Sequence, residues 1–186
     1  MSEPRFPELK PEQYDAAQKR LADELTRGPR GSVHGPYVPL IYSPALADRM
    51  RHLGDFIRFE GVLPPKLKEI VIFTVARHWS VEFMFAIHRA SAAKLGVTAA
   101  QIDALARGAR PAGLSAQEQA AYEMTLELLR TARVGDAAYE AASRHFDRGG
   151  IVELVNFVGY YTTLAMILNT ARMPLPEGTP PLPPAG

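Results

Sequence analysis

The sequence predicts an all-α protein. Apolar residues recur at helical spacings along most of the chain. The gaps between those stretches carry helix start and stop signals, with Ser, Thr, Asp or Pro at the beginnings and Gly at the ends. No alternating pattern bounded by hairpin turns marks a strand. The 186 residues, 47% of them apolar, suit one globular domain with a sizeable core.

Residues 1–10 read as an N-terminal arm, 11–172 as a single helical domain and 173–186 as a proline-rich tail. The first helix is expected from Pro11 to Thr26, with Tyr14, Ala17, Leu21 and Leu25 inward, and Gly28-Pro29-Arg30-Gly31 breaks it. Residues 32–42 form a loop with His34, Gly35, Pro36 and Pro39, where Pro39, Leu40 and Ile41 can pack on the core. Ser43 is placed to cap a helix from Pro44 to about Phe59, with proline at the first position and an inward stripe of Leu46, Met50, Leu53 and Ile57.

The stretch from Leu63 to Val97 reads as a helical hairpin around which the rest is built. Pro64 and Pro65 open its first helix, where amide protons lack helical partners anyway. Leu67, Ile70, Val71, Phe73, Thr74 and Val75 are spread widely enough to be buried on most sides. Ser80 is expected to cap the second helix, on which Val81, Met84, Phe85 and His88 share a face, and Gly96 ends it. A histidine thus lies in an apolar stripe one helix away from Glu69, which lies in another.

Further on, Thr98 caps a short helix to about Arg107, and Gly108 to Gly113 is a turn region. Ser115 with Glu118 forms a capping box for a helix to about Thr131, with Tyr122, Leu126 and Leu129 inward. Asp136 caps a helix through Tyr139 and Ala142 to Phe146. Gly149-Gly150 reads as a break before a long helix from Ile151 to about Thr170, apolar nearly all round. Such a helix is central to a core or shared with another subunit. The tail MPLPEGTPPLPPAG will not pack as a helix.

A formal net charge of +1 gives no reason to expect nucleic acid or an anionic membrane as the main partner. No stretch is read as approaching the roughly 20 apolar residues that span a bilayer. The start MSEPRFPELKPEQ has no apolar signal-peptide core, so a cytoplasmic location is the default expectation. The cysteine count is zero, which excludes a thiol nucleophile, disulfide exchange and thiolate metal ligation. HExxH, histidine pairs at i, i+4, Gly-rich phosphate loops, Rossmann fingerprints and GxSxG elbows are all missing. No metal site is expected, because Glu69 and His88 alone leave a metal two ligands short.

The hairpin resembles the core motif of the carboxymuconolactone decarboxylase family, which includes the alkyl hydroperoxidase AhpD-like proteins. In redox members a glutamate lies nineteen positions before the histidine of a Cys-x-x-Cys-x-x-x-His segment, and Glu69 and His88 have that separation. The two cysteine positions fall on Val81 and Met84. Glu82, Phe85 and His88 fit the Glu-x-x-(Trp/Phe)-x-x-His pattern of cysteine-free relatives. Residues 35–49 resemble the family's opening segment and 151–169 its closing helix, so the likeness runs from about Arg30 to about Pro174. The resemblance implies an AhpD-like bundle and a homo-oligomer: a dimer, a trimer or a hexamer. Its decarboxylating members act on a lactone from aromatic breakdown. The dithiol peroxidase activity of its redox members is excluded here, because methionine cannot replace a cycling thiol.

The candidate catalytic residues are His88 and Glu69. A lone histidine on an apolar face is more often a satisfied core residue, but at neutral pH it can also give or take a proton. Glu69 reads either as a surface charge near a helix start or as a carboxylate buried beside His88, orienting the imidazole or acting as a base of raised pKa. Arg77, His34 and Glu82 are the candidate substrate-binding residues. Arg77 can hold a carboxylate in bidentate fashion, although a basic residue at a helix end is expected on dipole grounds alone. His34 can cover a pocket from its glycine-flanked loop. Glu82 is turned about 120° from His88 and ranks second. Tyr37, Tyr160 and Tyr161 can supply hydroxyls, with packing the stronger reading.

Two functions follow. One is an enzyme that acts on a small carboxylated or lactone-type molecule by proton transfer between His88 and substrate, with Glu69 holding the imidazole and no cofactor required. The other is a non-catalytic scaffold or ligand-binding protein that has lost peroxidase activity. An open cavity where His88, Glu69 and an arginine converge discriminates for the enzyme. A sealed apolar site with His88 bonded to backbone discriminates for the scaffold.

Overall fold

The computed structural model describes residues 3–184, and among these the regular structure is entirely helical. A 3-10 turn (Pro11–Gln13) precedes α1 (Ala16–Arg27) and α2 (Tyr37–Leu40). Next, α3 (Pro44–Asp55) runs on into a π-helical turn (Phe56–Glu60). The hairpin is α4 (Pro65–His78) and α5 (Glu82–Lys94), followed by α6 (Ala99–Ala106), α7 (Ala116–Thr131), α8 (Asp136–Ser143) and α9 (Arg148–Ala171).

α4 is the axis of the fold. It packs against α5, α6, α7 and α9, and every residue from Leu67 to Ala76 is buried. That is possible because apolar side chains occupy nearly every direction around it. Phe73 meets Phe85 of α5 with ring centroids 4.3 Å apart. Truncating such a core ring costs about 3–5 kcal/mol. Val81, Met84, Phe85 and His88 are all buried, so the face read from the α5 sequence is the one that packs.

Several boundaries differ from expectation, each for a local reason. The first helix does not run unbroken from Pro11. Asp15 breaks it, because its carboxylate accepts from the amides of Ala17 and Gln18 at 2.8 Å and so starts a new helix. Ser80 is not the cap of α5. It takes a left-handed conformation (φ 51°) and closes α4 instead. Its amide donates to the Arg77 carbonyl at 3.1 Å and the Val81 amide to that of Ala76 at 2.8 Å, which is a Schellman closure. Gly149-Gly150 is no break: Asp147 caps α9 by accepting from the Gly150 amide at 2.7 Å, so both glycines lie in its first turn. Gly135 rather than Asp136 caps α8, which ends at Ser143. Residues 37–40 within the expected loop form the buried turn α2.

The inward face of α3 is also rotated from the expected one. Leu46 and Leu53 are exposed, with Ala47 and Gly54 buried in their stead, while Ile57 is buried and Met50 packs partly buried on the core as expected. Small residues face inward because the neighbours come close: a Cβ at Gly54 would collide with the Tyr160 hydroxyl.

α9 alone among the described helices is long and apolar enough to cross a bilayer, contrary to expectation; half of its apolar window is buried by the fold. Its buried residues include Leu154, Phe157, Tyr161, Leu164 and Leu168, while Val152, Val155 and Met166 face outward. Residues 173–184 are non-helical, as expected of the proline-rich tail. It folds back, with the Leu182 amide donating to Glu82 Oε1 at 3.1 Å.

Candidate functional site

Three elements and the π turn bring one polar cluster together inside the apolar core. α4 supplies Glu69, α5 supplies His88 and Ser91, the turn supplies Arg58, and α9 supplies Tyr161. Glu69 is 1% exposed and His88 9% exposed, so both carboxylate and imidazole are within the protein. Buried charges must be paired and hydrogen-bonded to survive, and these are. Glu69 Oε2 lies 2.8 Å from His88 Nδ1. Arg58 Nη2 donates to Glu69 Oε1 at 3.2 Å, and Ser91 Oγ lies at 3.2 Å from the same oxygen. Arg58 Nη1 donates to the Tyr161 hydroxyl at 2.9 Å. Lys68 pins the turn that carries Arg58 by donating to the Arg58 carbonyl at 2.9 Å.

The electrostatics favour an ionised Glu69. Burial pushes its carboxyl up, but the hydrogen bond and charge of His88, together with Arg58, outweigh burial and hold it below its ordinary value. The alternative of a base with raised pKa is therefore corrected. Burial pulls Arg58 down, while Tyr161 and Glu69 raise it more, so it stays a cation. Burial raises Tyr161, against the pull of Arg58, to about 12. With Nδ1 held by a carboxylate, the imidazole has its Nδ1 proton on that bond, which leaves Nε2 as its other proton-handling atom.

His88, Arg58, Tyr161 and Ser91 open onto a cavity of about 480 Å³, with Tyr37, Arg30 and His34 on its other wall. Met84, Ile87, Leu164 and Leu168 make its apolar sides. Of the two positions aligned with thiols, Met84 is cavity wall and Val81 is core packing.

The structure unites Glu69 and His88 and puts His34 on the same cavity, its Nδ1 3.1 Å from the Ser32 carbonyl oxygen. Arg77 and Glu82 are not part of it. Arg77 lies about two turns beyond Glu69 on α4, where it donates to the carbonyls of Ala106 at 3.2 Å and Pro183 at 2.8 Å. Glu82, turned away from His88 as its position on the helix requires, accepts from the tail. The arginine that converges on Glu69 is Arg58, which sequence reasoning missed. Its one signal was a lone cation inside the apolar run Phe56-Ile57-Arg58-Phe59. Ser91 was missed as well, while Tyr161, for which packing is the stronger sequence reading and a hydroxyl role the weaker, lies in the cluster. Among the described residues, no three His, Asp or Glu side chains gather to hold a metal ion.

Residues 44–127 match the model of the Carboxymuconolactone decarboxylase family. No protein of curated function matches the chain. Among solved structures it is similar to an alkylhydroperoxidase AhpD core, an uncharacterized peroxidase-related protein from Ralstonia eutropha JMP134. The TM-score is 0.78 at 14% identity, over 94% of this chain and 93% of that one. A peroxidase-related protein from Silicibacter sp. TM1040 gives 0.73 at 12% identity, over 93% and 91%. The debrominase Bmp8, solved as a point variant in complex with 2,3,4-tribromopyrrole, gives 0.72 at 11% identity, over 93% and 92%. At such identities these likenesses establish an AhpD-like fold.

Proposed function

We propose, from the match of residues 44–127 to the Carboxymuconolactone decarboxylase family model in a cysteine-free chain of AhpD-like fold, an enzyme that moves a proton to or from a small carboxylated or lactone-type molecule at His88, without redox chemistry. The observation that carries this reading is the 2.8 Å bond from His88 Nδ1 to buried Glu69, made by an imidazole that lines a 480 Å³ cavity. That bond orients the ring and stabilises the imidazolium that forms when Nε2 takes a proton. Against burial, His88 itself and then Arg58 hold the Glu69 carboxyl below its ordinary value, so it serves as an acceptor for the ring rather than as the proton's destination. In a decarboxylation an imidazolium protonated beforehand from solvent gives its Nε2 proton to the carbon that has lost carbon dioxide, and the neutral ring is reprotonated from water afterwards. Arg58 gives the cavity wall a cation suited to an anionic substrate, and His34 adds a hydrogen-bonding ring. The scaffold alternative called for a sealed site with His88 bonded to backbone. The open cavity and the carboxylate partner favour the enzyme.

A thermal-shift screen of small lactones and mono- and dicarboxylic acids tests the reading. A ligand at about 100 times its dissociation constant adds about 2.7 kcal/mol to stability. The expected result is a compound that raises the melting temperature of the wild type and not of His88→Ala, and that is turned over only by the wild type. A hit processed at full rate by both His88→Ala and Glu69→Ala rules the mechanism out.

A further inference from the structure

The Tyr161 hydroxyl has a use that packing does not explain. Its oxygen accepts from Arg58 Nη1 at 2.9 Å, and its own proton has no acceptor among the described residues. Tyr161 is 4% exposed, so this is a buried donor left unused, which a fold does not retain without cost. The ring lies on the cavity wall, edge-on to His88 with centroids 6.0 Å apart. Of the other polar groups there, Ser91 Oγ lies within 3.2 Å of Glu69 Oε1 and 3.0 Å of the His88 carbonyl, and Arg30 pairs with Asp55 at 3.0 Å; the Tyr37 hydroxyl is also without a partner, but it belongs to α2, whereas Tyr161 is the phenol whose ring meets His88.

We propose that Tyr161 donates its proton as a hydrogen bond to an oxyanion that forms on the substrate beside His88, so that the substrates are ketones, keto acids or lactones that react through their enolates. This inference rests on the proton-transfer reading and narrows its substrate class. In the step, the bond from the reacting carbon to hydrogen, or to a carboxylate that leaves as carbon dioxide, breaks. Its electron pair forms the carbon–carbon double bond, and the carbonyl pair moves onto oxygen. Tyr161 holds that oxygen, and His88 Nε2 takes the departing proton or supplies the one that later returns to carbon. Electrons balance without an oxidant or reductant. Arg58, behind the phenol oxygen, supports the developing charge, and burial keeps the phenol a neutral donor at neutral pH. A donor of this kind gains most where charge appears only as the reaction proceeds.

The test uses 4-nitrophenol, a planar acid whose coloured phenolate spreads its charge over the ring as an enolate does. It is titrated with wild type, Tyr161→Phe and His88→Ala, with melting temperatures taken to check folding; phenylalanine keeps the ring that fills the core. In the wild type, bound nitrophenol is expected to ionise at lower pH than free nitrophenol. Tyr161→Phe is expected to bind the phenolate roughly tenfold more weakly, or worse, the value of one hydrogen bond to a charged group. It is also expected to turn over a hit from the ligand screen roughly 100-fold more slowly at unchanged KM. If Tyr161→Phe matches the wild type while His88→Ala loses the ionised band, Tyr161 is not the donor, and the proton-transfer reading survives. If the wild type shows no ionised band, the enolate proposal falls, and the ligand screen on His88 alone judges the broader reading.

Discussion

Glu69 faces three donors at once: His88 at 2.8 Å, and Arg58 and Ser91 at 3.2 Å each. A buried carboxylate with that company is costly to neutralise, because each partner would be left unpaired in a medium that solvates it poorly. Glu69→Gln keeps the shape and removes the charge opposite Arg58. We expect it to lower stability at pH 7 by about 3 kcal/mol, the lower end for a broken buried pair, as measured by urea unfolding. The pH dependence follows from the sign of the shift. The folded carboxyl titrates below its ordinary value of 4.5, so the unfolded chain binds the proton first. The stability that Glu69 contributes is present above about pH 4.5 and is lost as pH falls through its lower folded value. The stability gap between wild type and Glu69→Gln should therefore close as pH drops from 5 towards 3. A gap constant across that range would mean that folding leaves the affinity of this carboxyl for its proton unchanged.

At the scale of the element, the hairpin was readable from the sequence because its signals are local. Prolines open α4, apolar residues occupy its sides, and Glu69 and His88 keep the spacing that brings them together across the two helices. Arg58 was not readable, because its place depends on the π turn at 56–60, where the widened winding carries it towards Glu69. No residue in that run marks such a widening. The rotation of α3 escaped for a related reason. Counting large apolar residues selects Leu46 and Leu53, but the neighbouring surfaces come so near that only Ala47 and Gly54 fit between them. Ser80 misled because serine is a good N-cap in general, whereas here the strain of a left-handed residue closes the preceding helix. Gly54→Ala tests the close approach. The added methyl meets the Tyr160 hydroxyl and the Arg30 guanidinium, and overpacking of this kind costs about 1–3 kcal/mol. Since Arg30 and Tyr37 share the cavity wall, the variant should also weaken binding of a ligand found by thermal shift. A melting temperature equal to the wild type's would show that α3 moves aside freely.

Across the whole molecule, the two residues that miss the cavity, Arg77 and Glu82, instead hold the tail, and through it Pro176 becomes part of the cavity wall. Each such hydrogen bond is worth about 1 kcal/mol, and ordering the tail offsets much of that. A chain ending at Met173 should keep its helical content, melt within a few degrees of the full chain, and admit cavity ligands faster in stopped-flow binding; an unchanged association rate would make the tail a bystander. The outer surface carries a larger consequence. Leu46, Leu53, Phe56, Phe59 and Val62 are exposed on and after α3, and Val152, Val155 and Met166 on α9. The two groups adjoin, because the Val62 amide donates to Glu153 Oε2 at 2.8 Å. Isolated soluble chains rarely leave so much apolar side chain in water, and burying each large one is worth about 1.5–3 kcal/mol. A second copy of the chain is the occupant we propose for this face, so light scattering after size exclusion should give a multiple of 20.4 kDa. Phe59→Glu combined with Val152→Glu places like charges where the copies would meet and should return the mass to that of one chain. Because Phe59 is next to Arg58, dissociation should also loosen the turn that presents Arg58 to Glu69, and cavity binding should weaken together with assembly. A wild type that runs as a single chain would show that copies of this protein do not cover the face.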